Sequence, residues 1–236
     1  MIGIFDSGVG GLNAYYELKR LLPDEDFIYL SDRKNAPYGT KSEDEITLLT
    51  KKDIHRLAEM GADKILIACC TASSIHHRLD GWERDIALPI ISAAASVAAE
   101  LGVVSVIATA HTVRSLAFTR SIQRINPDCT VLERGEQELV RLIEGGARDN
   151  HLTDECEKII DSVVRWVSDS ASEALILGCT HFSHLSETFS KRLPKVKIIS
   201  PAFEGAREIA RLHGKHRGRG RITYTDATGI GEKQRL

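Results

Sequence analysis

Two stretches of this chain run from a β-rich segment into cysteine and then into hydroxyl and polar residues: KILIACCTAS at 64–73 and ALILGCTHFS at 174–183. A free thiol titrates near about 8.5, and a helix N-terminus or a nearby cation lowers that value, so thiol and thiolate are both within reach of neutral pH. Inverting a stereocentre next to a carboxylate requires taking a proton from one face and returning one to the other. One thiolate and one thiol on opposite sides of a small molecule can do both, because general acid–base catalysis wants a pKa near the working pH. Taken singly, a strand cysteine is more often a small buried hydrophobe. The repetition, each time with a Thr close behind, favours chemistry. The echo leaves one register open, since Cys70-Thr71 matches Cys179-Thr180 as well as Cys69 does. In an extended strand a shift of one residue turns the working side chain to the opposite face.

The elements that would position these thiols are legible as alternating periods. IGIF, DFIYLSD, KILIAC, LPIIS, VVSVIAT, CTVLE, ALILGC and KVKIIS read as strands, and GLNAYYELKRLL and SEDEITLLTKKDIHRLAEMG carry apolar residues three and four apart. The second helical run starts at a Ser cap and stops at a Gly. Strand, helix and strand repeated this often predict α/β architecture with mainly parallel sheets. The repeated cysteine segments suggest two duplicated lobes, and SAAASVAA at 92–99 is the expected crossing point between them. The carboxyl ends of parallel strands, and the helix starts that follow, are where such sheets collect ligands.

Composition narrows the function classes. A chain of 236 residues with 42% hydrophobic content can bury a sizeable core. No apolar run reaches the ~20 residues that span a bilayer, and MIGIFDSG lacks the basic start and apolar stretch of a signal peptide; the expectation is a cytoplasmic protein with no membrane partner. Its five cysteines form neither a disulfide framework nor a zinc-spaced cluster, so reduced thiols and no metal are expected. A formal net charge of −2 argues against nucleic acid as a partner, and the basic run HGKHRGRGR at 213–221 reads as a solvated loop. The opening IGIFDSGVGG, with Asp32 ending the next strand, permits a dinucleotide-binding reading. However, Gly8, Gly10 and Gly11 are followed by Asn13 where G-x-G-x-x-G requires Gly, and no G-K-[ST] is present. A loop whose backbone N–H groups and Ser7 hold a carboxylate is the better reading.

FDSGVGGL (5–12), PYGTKS (37–42), ACCTAS (68–73) and LGCTHF (177–182) occur in this order and together resemble the four signature blocks of bacterial glutamate racemase, in the aspartate/glutamate racemase superfamily. ATAHTVRS (108–115) resembles a weaker block, and RITYTDAT (221–228) resembles the strand that returns to the first lobe. The resemblance implies two pseudo-symmetric α/β lobes, 1–94 plus 200–236 and 95–199, with the active site in the cleft between them. It implies an isomerase that uses no cofactor or metal, takes a small acidic amino acid and supplies D-glutamate for peptidoglycan, hence cell-wall biogenesis and cell shape. A homodimer is the family's common form. Residue by residue, the resemblance makes Cys69 and Cys179 the acid/base pair, with Asp6 and His181 as proton-handling partners. Ser7, Tyr38, Gly39, Cys70, Thr71 and Thr180 would hold substrate together with Asp6 and His181, and Glu133 corresponds to a cleft glutamate in a poorly matched block. Structural alternatives stand beside these roles: Asp6 as cap of the helix starting near Gly11, His181 satisfying the start of its own helix, and Tyr38–Gly39 as turn chemistry after Pro37.

The departures bear on specificity. The family has Cys-Asn-Thr where this chain has Cys69-Cys70-Thr71, so a weakly hydrogen-bonding thiol replaces an amide with two donors and an acceptor. SDRKNAPYG also departs from the family's Gly-Asp-Thr opening, with Asn35 at a position often held by Arg. Two further readings therefore stand beside a glutamate racemase: a racemase of another acidic amino acid, and a racemase-like binding or regulatory protein with reduced turnover. GCTH in place of GCTE disfavours aspartate, and two retained cysteines disfavour one-thiol decarboxylases.

Overall fold

The first strand, β1 (Ile2–Asp6), is apolar until its last residue and buried at all five positions, as a parallel strand covered on both faces must be. The computed structural model describes residues 1–8, 10–213 and 218–226, with 231–232 described by backbone alone. Four of the nine residues of the basic run at 213–221, namely 214–217, and the last two residues of the 221–228 block lie outside the described residues. The chain divides into two compact units, Met1–Ile90 with Ala202–Leu236, and Ile91–Pro201.

In the first unit β1 is followed by α1 (Leu12–Leu21), β2 (Phe27–Ser31), α2 (Glu43–Glu59), β3 (Lys64–Ile67), α3 (Cys70–Ser73), α4 (Gly81–Ile86) and β4 (Ala87–Pro89). The second unit takes up most of α5 (Ile90–Ala98) and continues with β5 (Val103–Ala108), α6 (Ala110–Ser115), α7 (Ala117–Gln123), β6 (Thr130–Gly135), α8 (Gln137–Glu144) and α9 (Asp154–Asp169). It closes with β7 (Ala174–Gly178), α10 (Ser186–Arg192) and β8 (Lys197–Ile199), after which α11 (Pro201–His213), β9 (Ile222–Asp226) and β10 (Gly231–Glu232) return to the first unit. The sheets run β10-β9-β2-β1-β3-β4 and β6-β5-β7-β8. Every pairing is parallel except β10 with β9. Within each unit the first four strands in chain order lie second, first, third, fourth across the sheet, so the duplication suggested by the cysteine echo is present in the topology.

Local signals explain the element ends. Ser42 accepts from the Glu45 N–H while the Glu45 carboxylate takes the Ser42 N–H, a capping box that opens α2 and contributes about 1 kcal/mol. The inward face of α2 carries Ile46, Thr50, Asp53, Ile54 and Leu57, a helical stripe with one carboxylate in it. That stripe packs with Phe5, Ile28, Leu30, Ile65 and Ile67 into the first unit's core. The second unit's core gathers Ile107, Leu139, Ile160, Val163, Leu175, Leu177, Phe182 and Phe189.

One expectation is corrected. LPIIS is a strand only as far as Pro89; helix α5 begins at Ile90, whose N–H donates to the Ser73 hydroxyl. Pro89 cannot continue a ladder as a donor and is tolerated here because β4 is the sheet's edge. SAAASVAA, the expected crossing point, lies within α5 over 92–98, directly after the division between the units at Ile90–Ile91.

Candidate active site

The third strand of each unit ends in a cysteine held at the same position. β3 stops at Ile67, and Cys69, still extended at φ −94°, ψ 121°, is the N-cap of α3. β7 stops at Gly178, and Cys179, at φ −140°, ψ 138°, is the N-cap of a 3-10 turn over Thr180–Leu185. Cys70 is the first residue of its helix, the place Thr180 takes in the other unit. The geometry thus pairs Cys69 with Cys179 and removes the competing register. Cys69 and Cys70 are separated by a strand-to-helix turn rather than by alternation along a strand.

In the first unit, Asp6 ends β1 and is fully buried, with its Oδ1 accepting from the Gly8 N–H at 2.6 Å. The carbonyl of Gly8 in turn accepts from the hydroxyls of Ser31 (2.6 Å) and Tyr29 (3.2 Å), which ties the glycine-rich loop to β2. Gly11 lets this loop close against the strand ends, since a Cβ there would lie 2.8 Å from Asp6 Cβ and 3.0 Å from Ala68 Cβ. Gly11 is also the N-cap residue of α1. The Ser7 hydroxyl lies 3.4 Å from Cys69 Sγ, and the Ala72 N–H donates to the same sulfur at 3.5 Å. Burial first, and then the Asp6 carboxylate, push the Cys69 thiol up to about 11, against the pull of the Ser7 and Ala72 donors. Thr71 and Cys70 are buried beside it.

Tyr38 and Gly39 form a 3-10 turn, Tyr38–Thr40, after Pro37. The Tyr38 hydroxyl donates to Asp32 Oδ2 at 2.6 Å, and the Asn35 amide donates to both Asp32 oxygens at 2.9 and 3.0 Å. Asp32 is thus engaged inside its own unit and is not offered to a ribose, which removes the main support for the dinucleotide reading. What this turn presents to a ligand is its backbone, because the phenol is committed.

In the second unit, His181 Nδ1 lies 3.5 Å from Cys179 Sγ, and His181 Nε2 lies 3.4 Å from Glu144 Oε1 at the end of α8. Glu144 carries no motif and was not foreseen; it becomes a neighbour only through the packing of α8 against the 180–185 turn. Thr180 is buried next to the thiol. In the ATAHTVRS block, Thr109 caps α6 through the Thr112 N–H at the end of β5, and His111 and Thr112 are buried. Glu133 lies within β6, two residues short of its end, with Oε1 accepting from the Thr119 N–H and hydroxyl at 3.0 and 2.6 Å. Burial raises its pKa.

All five cysteines are free. Among the described residues no three or more His, Cys, Asp or Glu side chains are grouped so as to hold a metal ion, and no helix is long and apolar enough to cross a membrane.

The sequence profile of the Asp/Glu/hydantoin racemase family matches residues 12–209. The chain is 33% identical over 217 residues to glutamate racemase of Limosilactobacillus reuteri, covering 89% of this chain and 79% of that one. It is 35% identical over 223 residues to glutamate racemase of Desulforudis audaxviator, covering 92% and 80%. Among solved structures it is similar to glutamate racemase from Francisella tularensis in complex with D-glutamate, at a TM-score of 0.85 and 31% identity over 95% of this chain and 87% of that one. With the duplicated parallel sheets and a cysteine closing the third strand of each, these matches show that the chain belongs to the Asp/Glu/hydantoin racemase family and is an isomerase.

Proposed function

We propose that the protein interconverts L- and D-glutamate without a cofactor, with Cys69 and Cys179 as its two acid/base groups. The observation that carries the reading is the equivalence of the two cysteines: each is the N-cap residue of the turn after the third strand of its unit and each has a polar partner at the sulfur. In one direction a thiolate takes the α-proton and the other thiol delivers its proton to the opposite face of the resulting carbanion. The enzyme is left with the two protonation states exchanged, ready for the reverse reaction. Cys69 is held as a thiol by burial and by Asp6, which suits the acid role. Its turn as base is supported by the α-ammonium of the substrate, a positive charge that offsets Asp6 and favours the thiolate. His181 at Cys179 serves the matching task, and the buried Thr71 and Thr180 with the Ser7 loop supply donors for carboxylates. The product, D-glutamate, would be used for peptidoglycan in the cytoplasm, where thiols stay reduced.

A second reading, a family member of altered specificity or reduced turnover, is favoured by Cys70 at the position of the family's amide. The test is D/L interconversion of glutamate and of aspartate in D2O without added cofactor, with exchange at the α-carbon followed by NMR. Glutamate should racemise with incorporation of deuterium. Cys69→Ser and Cys179→Ser should each lose racemisation while keeping some exchange from one enantiomer, because the remaining thiol still abstracts. Near wild-type racemisation by either variant would eliminate the two-thiol mechanism, and turnover of aspartate alone would select the second reading.

A further inference from the structure

We infer that Asp53 is a positioning residue that shares one carboxyl proton with Asp32 through the Tyr38 hydroxyl, and so fixes the Pro37–Tyr38–Gly39 turn beside Cys69. The inference rests on the proposed function only for what the turn positions. Asp53 stands on the apolar stripe of α2 between Thr50 and Leu57, where the helical period calls for a hydrophobe. Asp53, Tyr38 and Asp32 are each only 1% exposed, and an isolated charge there would be expensive. The Tyr38 hydroxyl has one proton. It lies 2.6 Å from Asp32 Oδ2 and 3.4 Å from Asp53 Oδ2, so the proton goes to Asp32. Two ionised carboxylates would then flank one phenol oxygen, with the second left without a donor. Protonating Asp53 resolves this: its acid O–H donates to the Tyr38 oxygen, Tyr38 donates to Asp32, and the Asn35 amide takes up the remaining charge on Asp32. One negative charge is then spread over a satisfied chain of hydrogen bonds.

The titratable groups around Asp53 agree with this order. Burial and then Asp32 push its carboxyl up to about 7, against the Tyr38 bond and the cations Lys52 and Arg56 on its own helix. From the other side, Tyr38 is pushed well up by burial and by both carboxylates, with Cys69 adding in the same direction. Tyr38 and Cys69 belong to one packed cluster, so a shift of the ring moves the turn next to the thiol. Above neutral pH Asp53 loses its proton, the two carboxylates repel, and the turn loosens.

The experiment compares the full-length wild type with Asp53→Asn and Asp53→Leu, measuring KM and kcat for glutamate from pH 6 to 9 and thermal unfolding without substrate over the same range. Asp53→Asn keeps a donor to Tyr38 but cannot ionise. Its KM should match the wild type at pH 6 and stay flat, while the wild-type KM rises severalfold by pH 9. Asp53→Leu should raise KM about tenfold at pH 6, the loss of one buried hydrogen bond, with kcat within about threefold. The wild-type Tm should fall relative to that of Asp53→Asn as pH rises through 7. A folded Asp53→Leu with wild-type KM, or coincident wild-type and Asp53→Asn profiles, would overturn the inference. If the wild type leaves glutamate unchanged, the functional reading fails by itself, and the unfolding profiles decide the shared proton.

Discussion

Asp6 is, after burial, the second influence that holds Cys69 as a thiol, and removing its charge should be visible as faster alkylation of that one thiol. Burial and Asp6 together carry the thiol from 9.0 to about 11. At pH 7.5 this lowers the thiolate from about 3% to about 0.03% of the population. Asp6 is the second cause after burial, so Asp6→Asn should recover part of the rise, on the order of one unit. That multiplies the thiolate roughly tenfold. A less basic thiolate is also a weaker nucleophile, with a Brønsted slope of about 0.4–0.5, so the net rate should increase roughly three- to fourfold. The assay is iodoacetamide labelling between pH 7 and 9.5, read by peptide mass spectrometry at Cys69, with the buried Cys129 and Cys156 as internal references for loss of structure. Ser7→Ala removes a hydroxyl that favours the thiolate and should move the rate the other way. If Asp6→Asn alkylates at the wild-type rate or more slowly at every pH, while the reference thiols are unchanged, the electrostatic account of this site is wrong.

Cys70→Asn should retain turnover and bind glutamate at least as tightly as the wild type; a hydrogen bond to a charged group restored in full would lower KM roughly tenfold or more, and steady-state kinetics would expose a dead Cys70→Asn as evidence against the pairing of Cys69 with Cys179. Gly178→Ala should cost about 1–3 kcal/mol and lower kcat, because a Cβ would meet the Ile107 carbonyl at 2.8 Å and Phe118 Cε2 at 2.9 Å immediately before Cys179; thermal unfolding and kcat together check it. The pH dependence of stability should carry the signature of Asp53. An acid whose folded pKa of about 7 stands above its usual 3.8 holds its proton longer in the folded state, so stability is fully present below about 4 and is lost as pH rises toward 7. Over that window the wild type should lose on the order of 4 kcal/mol relative to Asp53→Asn as an upper bound, measured by denaturant unfolding at pH 4 and pH 8.

The alternation of β-rich runs with helical stripes determined the parallel α/β class, and the two cysteine segments with their ordered companion blocks determined the family. Those signals are local: a strand needs only a few apolar residues, and the thiol follows at a fixed offset. The end of LPIIS as a helix was not legible, because the choice depends on the edge position of β4 and on the Ser73 hydroxyl that takes the Ile90 N–H. The commitment of the Tyr38 phenol to Asp32, the approach of Glu144 to His181, and the buried proton-sharing chain at Asp53 were decided by tertiary structure. Each depends on side chains from separate elements meeting, and Tyr38, Asp32 and Asp53 meet away from water, where a partner's distance sets which group holds a proton. The sequence identifies an Asp at helical spacing, but only packing shows that it is buried and against what.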